Sequence, residues 1–391
     1  MTTFGKKGFM STDQTVTEWR VICETVPGAS HLRAGIPNQD AILQLRESSR
    51  SLPIILSLSD GHGSDKCFRS NLGSRFAVKK AAQVIGEFLD ARRSAFDLAE
   101  IEKEGREFLG KEFLRKWRKA VEDDLKKKPF TQAEFDKLKE KDGEKAVKLV
   151  EDNPLLAYGA TSLTIAVEES FLLYLQLGDG QILTVSEKGE VAKPLPEDER
   201  LFANETTSLC STKAENDFRF FVQNVTPENR PALILMSTDG YVNSFSEEAG
   251  FLKAATDFYE MLGSEGHDFI NENLKAWLEE ATKMGSGDDT TVGIIYRPNA
   301  LKKPEIAVES ETVSAESVST DPNTGEKTVE IPEALLPSLT ENQPEDPDDV
   351  TVTITIKKDK SKTSGKPVVT VKKNEQEKVQ SADNSENTKT K

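Results

Sequence analysis

Leu52-Pro53-Ile54-Ile55-Leu56-Ser57-Leu58-Ser59-Asp60-Gly61-His62-Gly63-Ser64 reads as a buried strand that ends in a chemical cluster. Ile54 to Ser59 is the strand, and it delivers a carboxylate, an imidazole and two glycines to a sheet edge in consecutive positions. A carboxylate can hold a hard divalent cation. Glycine lets its own carbonyl approach a ligand closely. A neighbouring histidine can move protons near neutral pH. Few structural needs call for all three at once.

Outward from this stretch, the same arrangement recurs. Ser237-Thr238-Asp239-Gly240 follows the apolar run Leu233-Ile234-Leu235-Met236, and Gly178-Asp179-Gly180 follows Leu173 to Leu177. Gly287-Asp288-Asp289-Thr290 precedes the run Val292 to Tyr296, and Asp40 precedes Ala41 to Leu45 without a glycine. Taken singly, Asp-Gly is an ordinary turn pair. Taken together, acidic strand ends converging on one rim would repel one another unless cations lie between them. Oxygen ligands without a Cys-His set point to magnesium, manganese or calcium rather than structural zinc. No twelve-residue calcium loop with a terminal Glu accompanies them.

The rest of the pattern places these ends in a fold. Val16 to Thr25 alternates as a half-buried strand, and Gly28 to Asp40 is turn-like. Apolar residues from Phe68 to Phe88 recur at helical spacing, as do Phe113, Leu114, Trp117 and Val121. Gln132 to Val150 is a charged helical segment suited to a solvated face. Thr161–Val167, Phe171–Leu177 and Ile182–Ser186 read as a meander, followed by strands at Phe218–Val222 and Ala232–Met236. Helices at Ala254–Leu262 and Phe269–Thr282 precede the last strand. Strands, helices, strands, helices, strand is the order of an α+β domain with antiparallel sheets and helices packed outside.

The chain has 391 residues, 36% of them hydrophobic and 30% charged, with a mean hydropathy of -0.51. Domains are expected at 1–14 (a flexible N-terminus), 15–297 (the folded domain) and 298–391. The last is a Pro-, Glu-, Ser-, Thr- and Lys-rich tail, mostly disordered, with a short hairpin at 350–371. Net charge is -16, from 67 acidic against 51 basic residues, which argues against a nucleic-acid partner. No run approaches the roughly 20 apolar residues of a membrane span. Cys23, Cys67 and Cys210 follow no metal spacing, so a cytoplasmic location with simple packing roles for the thiols is expected.

Six pieces in order resemble the type-2C family of metal-dependent protein serine/threonine phosphatases. They are Asn38-Gln39-Asp40-Ala41, Asp60-Gly61-His62-Gly63, Gly159-Ala160-Thr161-Ser162, Leu177-Gly178-Asp179-Gly180, Ser237-Thr238-Asp239-Gly240 and Asp288-Asp289-Thr290-Thr291. The stretches Ser30 to Asp40 and Asn204 to Ser208 are most similar to the bacterial branch. The resemblance implies two packed antiparallel sheets flanked by antiparallel helix pairs, an α-β-β-α sandwich with metals in a cleft at one end. It implies two magnesium or manganese ions, with an optional third beside them. Asp60 would bridge the two, with the Gly61 carbonyl on one and Asp239 and Asp288 on the other, while Asp179 would lie near the third. Asp40 would orient water, and His62 would be the general acid in hydrolysis of phosphoserine and phosphothreonine in proteins. The partners implied are a phosphorylated protein and a cognate kinase. The alternative is a catalytically silent relative that binds a phosphoprotein or a kinase.

Two positions depart from the family. Many members carry a phosphate-binding Arg where Gly35 stands here, and Glu where Gln39 stands. Arg33 and His31 are the nearby candidates for holding the substrate phosphate.

Overall fold

Ile54–Ser59 forms a strand that is buried at every position, because both of its faces are covered. The structure is a computed structural model. It describes residues 19–46, 52–94, 97–196 and 207–301, together with four short strands beyond them. Element by element, the first unit runs β1 (Arg20–Val26), α1 (Ala29–Ala34), β2 (Ala41–Arg46), β3 (Ile54–Ser59), α2 (Ser70–Asp90), α3 (Leu98–Lys127), α4 (Gln132–Asp152), β4 (Ser162–Val167) and β5 (Phe171–Leu177). It continues with β6 (Gln181–Val185), β7 (Val191–Ala192), β8 (Arg219–Asn224), β9 (Leu233–Ser237), α5 (Asp239–Val242), α6 (Glu248–Ser264), α7 (Gly266–Met284) and β10 (Thr290–Tyr296).

The strands form two five-stranded sheets, ordered β1-β10-β9-β6-β7 and β2-β3-β4-β5-β8, and every neighbouring pair is antiparallel. Alternation along β3 explains the layering. Ile54, Leu56 and Leu58 meet Ile234, Met236 and Ile295 of the other sheet in the central layer. Ile55 points the other way, into a cluster built from α2, α3 and α4. On the far side, Ile22, Leu235 and Ile294 pack under Phe251, Phe258, Leu274 and Leu278 of α6 and α7. The architecture is therefore the α-β-β-α sandwich, an α+β fold.

Three sequence expectations change. The turn-like segment after Gly28 contains a six-residue helix, α1, closed by Gly35 in the left-handed conformation (φ 66). The meander is only a hairpin. β4 pairs with β5, but β6 pairs with β9 in the opposite sheet, so Gly178-Asp179-Gly180 carries the chain across the sandwich. Both sheets need an apolar inner face, so periodicity alone cannot say which sheet a strand joins. The charged segment Gln132 to Val150 is a helix tied inward. Thr131 and Glu134 form a capping box, and Glu134 also receives Arg69 Nε at 2.8 Å and Nη2 at 3.0 Å.

A second unit, from residue 306, contains β11 (Val318–Thr320), β12 (Lys327–Glu330), β13 (Val352–Lys357) and β14 (Val368–Lys373). They form an antiparallel sheet ordered β11-β12-β14-β13, in which Val352 faces Lys373 and Lys357 faces Val368. The other tail residues, the expected flexible N-terminus 1–14 and the Asn204–Glu205–Thr206 part of the bacterial-type stretch lie outside the described residues. Among the described residues no helix is long and apolar enough to cross a membrane.

Trp117 anchors the helical layer over β2-β3-β4-β5-β8. It is fully buried, and its indole N–H donates to the Gly73 carbonyl at 3.0 Å. Trp117→Ala should lower unfolding free energy by about 3–5 kcal/mol in urea denaturation, from lost burial and the cavity left behind. A loss below about 1 kcal/mol would show that α3 is not coupled to the core.

Candidate metal centre

Antiparallel pairing brings the acidic strand ends to one edge. The end of β3 lies opposite the start of β2 and near the start of β4, and the start of β4 faces the end of β5. In the other sheet, Ser237 at the end of β9 pairs with Val292 near the start of β10 and with Gln181 at the start of β6. Asp40, Asp60, Asp179, Asp239, Asp288 and Asp289 therefore flank the same edge of the sandwich.

Carboxylate oxygens of Asp60, Asp179 and Asp239 all lie within 4.8 Å of one another. Burial holds the Asp60 carboxyl well above its ordinary range, and the charges of Asp40, Asp239 and Asp179 push it further. Asp239 is also raised, by burial first and then by Asp179 and Asp288, against a hydrogen bond with Asp60 that lowers it. Asp40 is raised by burial, although Oδ2 accepts Thr238 Oγ1 at 2.8 Å and Thr291 Oγ1 at 2.7 Å. Its Oδ1 is buried with no hydrogen-bond partner. Such a concentration of desolvated oxygen donors fits a divalent cation of the magnesium or manganese type.

Each acidic loop is held from below. The Asp60 amide donates to Thr161 Oγ1 at 3.0 Å, the Thr161 amide returns a bond to the Asp60 carbonyl at 2.8 Å, and Gly61 bridges to Ala160. The Asp179 loop is gripped by Gln176 Nε2, which donates to the Gly180 carbonyl at 2.6 Å, and by Arg219, which donates to the Gly178 carbonyl at 3.0 Å. Asp239 opens α5, and a Cβ on Gly240 would lie 2.0 Å from the Asp289 carbonyl oxygen. Only glycine lets that loop close over the last strand.

Asp288 lies apart from the tight triad. It is half exposed, and its Oδ1 accepts the Asp289 amide at 2.8 Å and lies 3.6 Å from His31 Nε2. Its charge still reaches Asp239. His31 packs on this acidic pair, with Nδ1 2.9 Å from Asp289 Oδ1. Arg33 is exposed on α1, and Gly35 beyond it has a φ that an arginine would adopt only with strain.

Asp289, Thr161, Thr238 and Thr291 carry roles that the sequence does not assign. Asp289 is buried, with Oδ1 accepting the Gly28 amide and Oδ2 the Gln39 amide, both at 2.6 Å. It staples the segment before Asp40 to the last strand. A signal is present, since Asp288-Asp289-Thr290-Thr291 and Gly159-Ala160-Thr161-Ser162 both stand out as motifs, but only contacts reveal what each residue holds.

His62 lies beside the triad. Its amide donates to the Gly159 carbonyl at 3.1 Å, and its ring packs so near Gly159 that a Cβ there would sit 2.8 Å from Cδ2. Burial pushes the imidazole below its ordinary range, and Asp179 partly offsets this. Cys67 and Cys210 approach the same glycine, and burial drives the Cys67 thiol up to about 12. All three cysteines are free, and neither buried thiol is ionised near neutral pH. The chemistry supported is metal and proton chemistry at oxygen, not thiol nucleophilicity.

The family model described as protein phosphatase 2C matches residues 27–279. Among solved structures, PppA of Pseudomonas aeruginosa, a regulatory component of its type VI secretion system, is 14% identical. That match covers 72% of this chain and 99% of its own, with a TM-score of 0.44. The serine/threonine phosphatase PstP of Mycobacterium tuberculosis is 15% identical over 71% of this chain and 98% of its own, at 0.42. A sex-determining protein of C. elegans is 15% identical over 73% and 67%, also at 0.42. No curated protein matches the chain significantly. The family match, not these distant structural likenesses, carries the assignment.

The raised carboxyls make a signed prediction for the metal-free protein. Unfolded carboxyls ionise near about 4. Folded Asp60 holds its proton to higher pH, so this group stabilises the fold least once pH exceeds both values. Asp60→Asn should therefore raise Tm in EDTA, with a gap that widens as pH goes from 5 to 8. Manganese should stabilise the wild type and not the variant. A gap that narrows with rising pH would contradict the repulsion described.

Proposed function

The chain belongs to the protein phosphatase 2C family, and we propose that it hydrolyses phosphoserine and phosphothreonine in proteins in a metal-dependent reaction. The observation that carries this reading is the convergence of Asp60, Asp179 and Asp239 within 4.8 Å at the sandwich edge. Asp60, Asp239 and Asp288, with the Gly61 carbonyl, would hold two magnesium or manganese ions, and Asp179 with Asp239 would serve a third. When bound, such ions activate water and neutralise phosphoryl oxygens.

The chain's own groups then have defined tasks. Asp40 is anchored through Oδ2 by two threonine hydroxyls, which leaves the partnerless Oδ1 to accept a hydrogen bond from the attacking water and so orient it. Water oxygen forms the new P–O bond as the bond to the serine or threonine oxygen breaks. His62 donates a proton to that leaving oxygen, giving the free alcohol and inorganic phosphate. Asp179 beside the ring favours its protonated form against burial. His31 lies against Asp288 and Asp289, so holding the phosphate from this side falls to Arg33. The phosphorylated protein is the partner this reading requires, and its kinase is the natural antagonist.

Release of phosphate from a phosphothreonine peptide should require manganese or magnesium, stop in EDTA, and fall at least about 100-fold in Asp60→Asn and Asp239→Asn. Peptide binding without any phosphate release would make the protein a phosphoprotein-binding module instead. His62→Gln should lower kcat about 100-fold or more on alkyl phosphates and far less on aryl phosphates, whose leaving groups need no proton. Equal losses on both substrates would remove His62 from the acid role.

A further inference from the structure

A cleft of about 230 Å³ begins where the site ends. Gly63 and Ser64, which follow His62 in sequence, and Gln39, which precedes Asp40, line one side of it. Pro37, Phe68 and Leu138 supply apolar lining, and Lys137 and Lys141 of α4 line the cleft as well. The volume is below that of a typical metabolite pocket and suits one or two side chains.

The charges of the wall are uneven. Glu134 is spent on the buried Arg69, which it meets at 2.8 and 3.0 Å, and on the Thr131 amide. Asp65 is paired with Lys141 at 2.6 Å. Lys137 is exposed, and no ion pair engages it among the described residues. Among the charged lining residues Lys137 is therefore the one without an ion-pair partner, in a chain of net charge -16 and beside the Asp60-Asp179-Asp239 cluster. The wall is also firm, because the capping box, the Arg69 fork and buried Leu138 fix the first half of α4. An exposed pair such as Lys141–Asp65 is worth little, so Lys141 can turn to an incoming carboxylate at small cost.

We propose that this cleft seats the substrate segment flanking the phosphorylated residue, and that Lys137, with Lys141, selects acidic side chains there while the apolar lining takes a neighbouring apolar one. The assignment rests on the phosphatase reading above and gives it a substrate class: phosphoprotein segments with acidic residues next to the phosphorylated serine or threonine. Without these lysines, an acidic peptide would meet the repulsion of the carboxylate cluster with no cation in the cleft lining to offset it.

The test uses the full chain with manganese on phosphothreonine peptides carrying Asp, Ala or Lys at each of the three positions on either side, with p-nitrophenyl phosphate as a small control. The wild type should prefer Asp-flanked peptides through KM. Lys137→Ala should raise that KM about 3–5-fold and Lys137→Glu about 10-fold, with kcat and aryl phosphate kinetics unchanged. Lys137→Glu should also lower the KM of Lys-flanked peptides, which a merely structural role for α4 would not do. Fluorescence anisotropy of a labelled, non-hydrolysable phosphonate peptide should follow the same order. Flat peptide preferences with normal aryl turnover would overturn the cleft assignment alone. No turnover on any substrate would overturn the phosphatase reading and the cleft with it.

Discussion

Carboxylates a few ångströms apart repel, and burial strengthens that repulsion because little water screens it. The fold brings Asp60, Asp179 and Asp239 within 4.8 Å, with Asp40 close enough to raise Asp60 further. Apart from the hydrogen bond between Asp60 and Asp239, nothing in the acidic cluster draws these groups together. Their positions are imposed by strand pairing and by the loops beneath, so the surrounding structure must be stiff enough to hold an unfavourable arrangement. That stiffness is what an ion would meet as preorganisation.

The stiffness has identifiable sources. The two sheets close on an apolar layer from Ile54, Leu56 and Leu58 to Ile234, Met236 and Ile295. Helices seal both outer faces, so that β3 is buried along its whole length. At the edge, side-chain bonds to backbone take over: Thr161 under Asp60, Gln176 and Arg219 around Asp179, and Asp289 between Gly28, Gln39 and the last strand. Most of these bonds join distant parts of the chain. The same logic ties α4 to the body of the domain, since Arg69 grips Glu134, which lines the cleft that α4 helps to form.

Much of the site is legible in the amino-acid sequence. Asp60, Asp179 and Asp239 each follow an apolar run and flank glycine, and that local pattern is enough to group them. Asp288 is legible as a strand-end carboxylate, but not as a half-exposed group leaning toward His31. Asp289 has no role that its neighbours in the chain reveal, because its value lies in two backbone amides about 250 residues away in sequence. The departure at Gly35 is legible as a missing cation. Its physical reason, a left-handed backbone closing α1, is not.

The order of strands and helices, and with it an α+β sandwich, follows from periodicity, since apolar spacing of two or 3.6 depends only on neighbours in the chain. The acidic strand ends and the oxygen-ligand chemistry follow from residue type. Sheet membership does not, and β6 shows why: its inner face must be apolar in either sheet, so only pairing with β9 decides it. Nor can sequence place Lys137 and Lys141 in one cleft with Ser64, or the Thr238 and Thr291 hydroxyls on Asp40. Those relations join residues that are neighbours only after the sandwich has closed. Local chemistry is written along the chain, whereas the partners that orient and select it are set by packing.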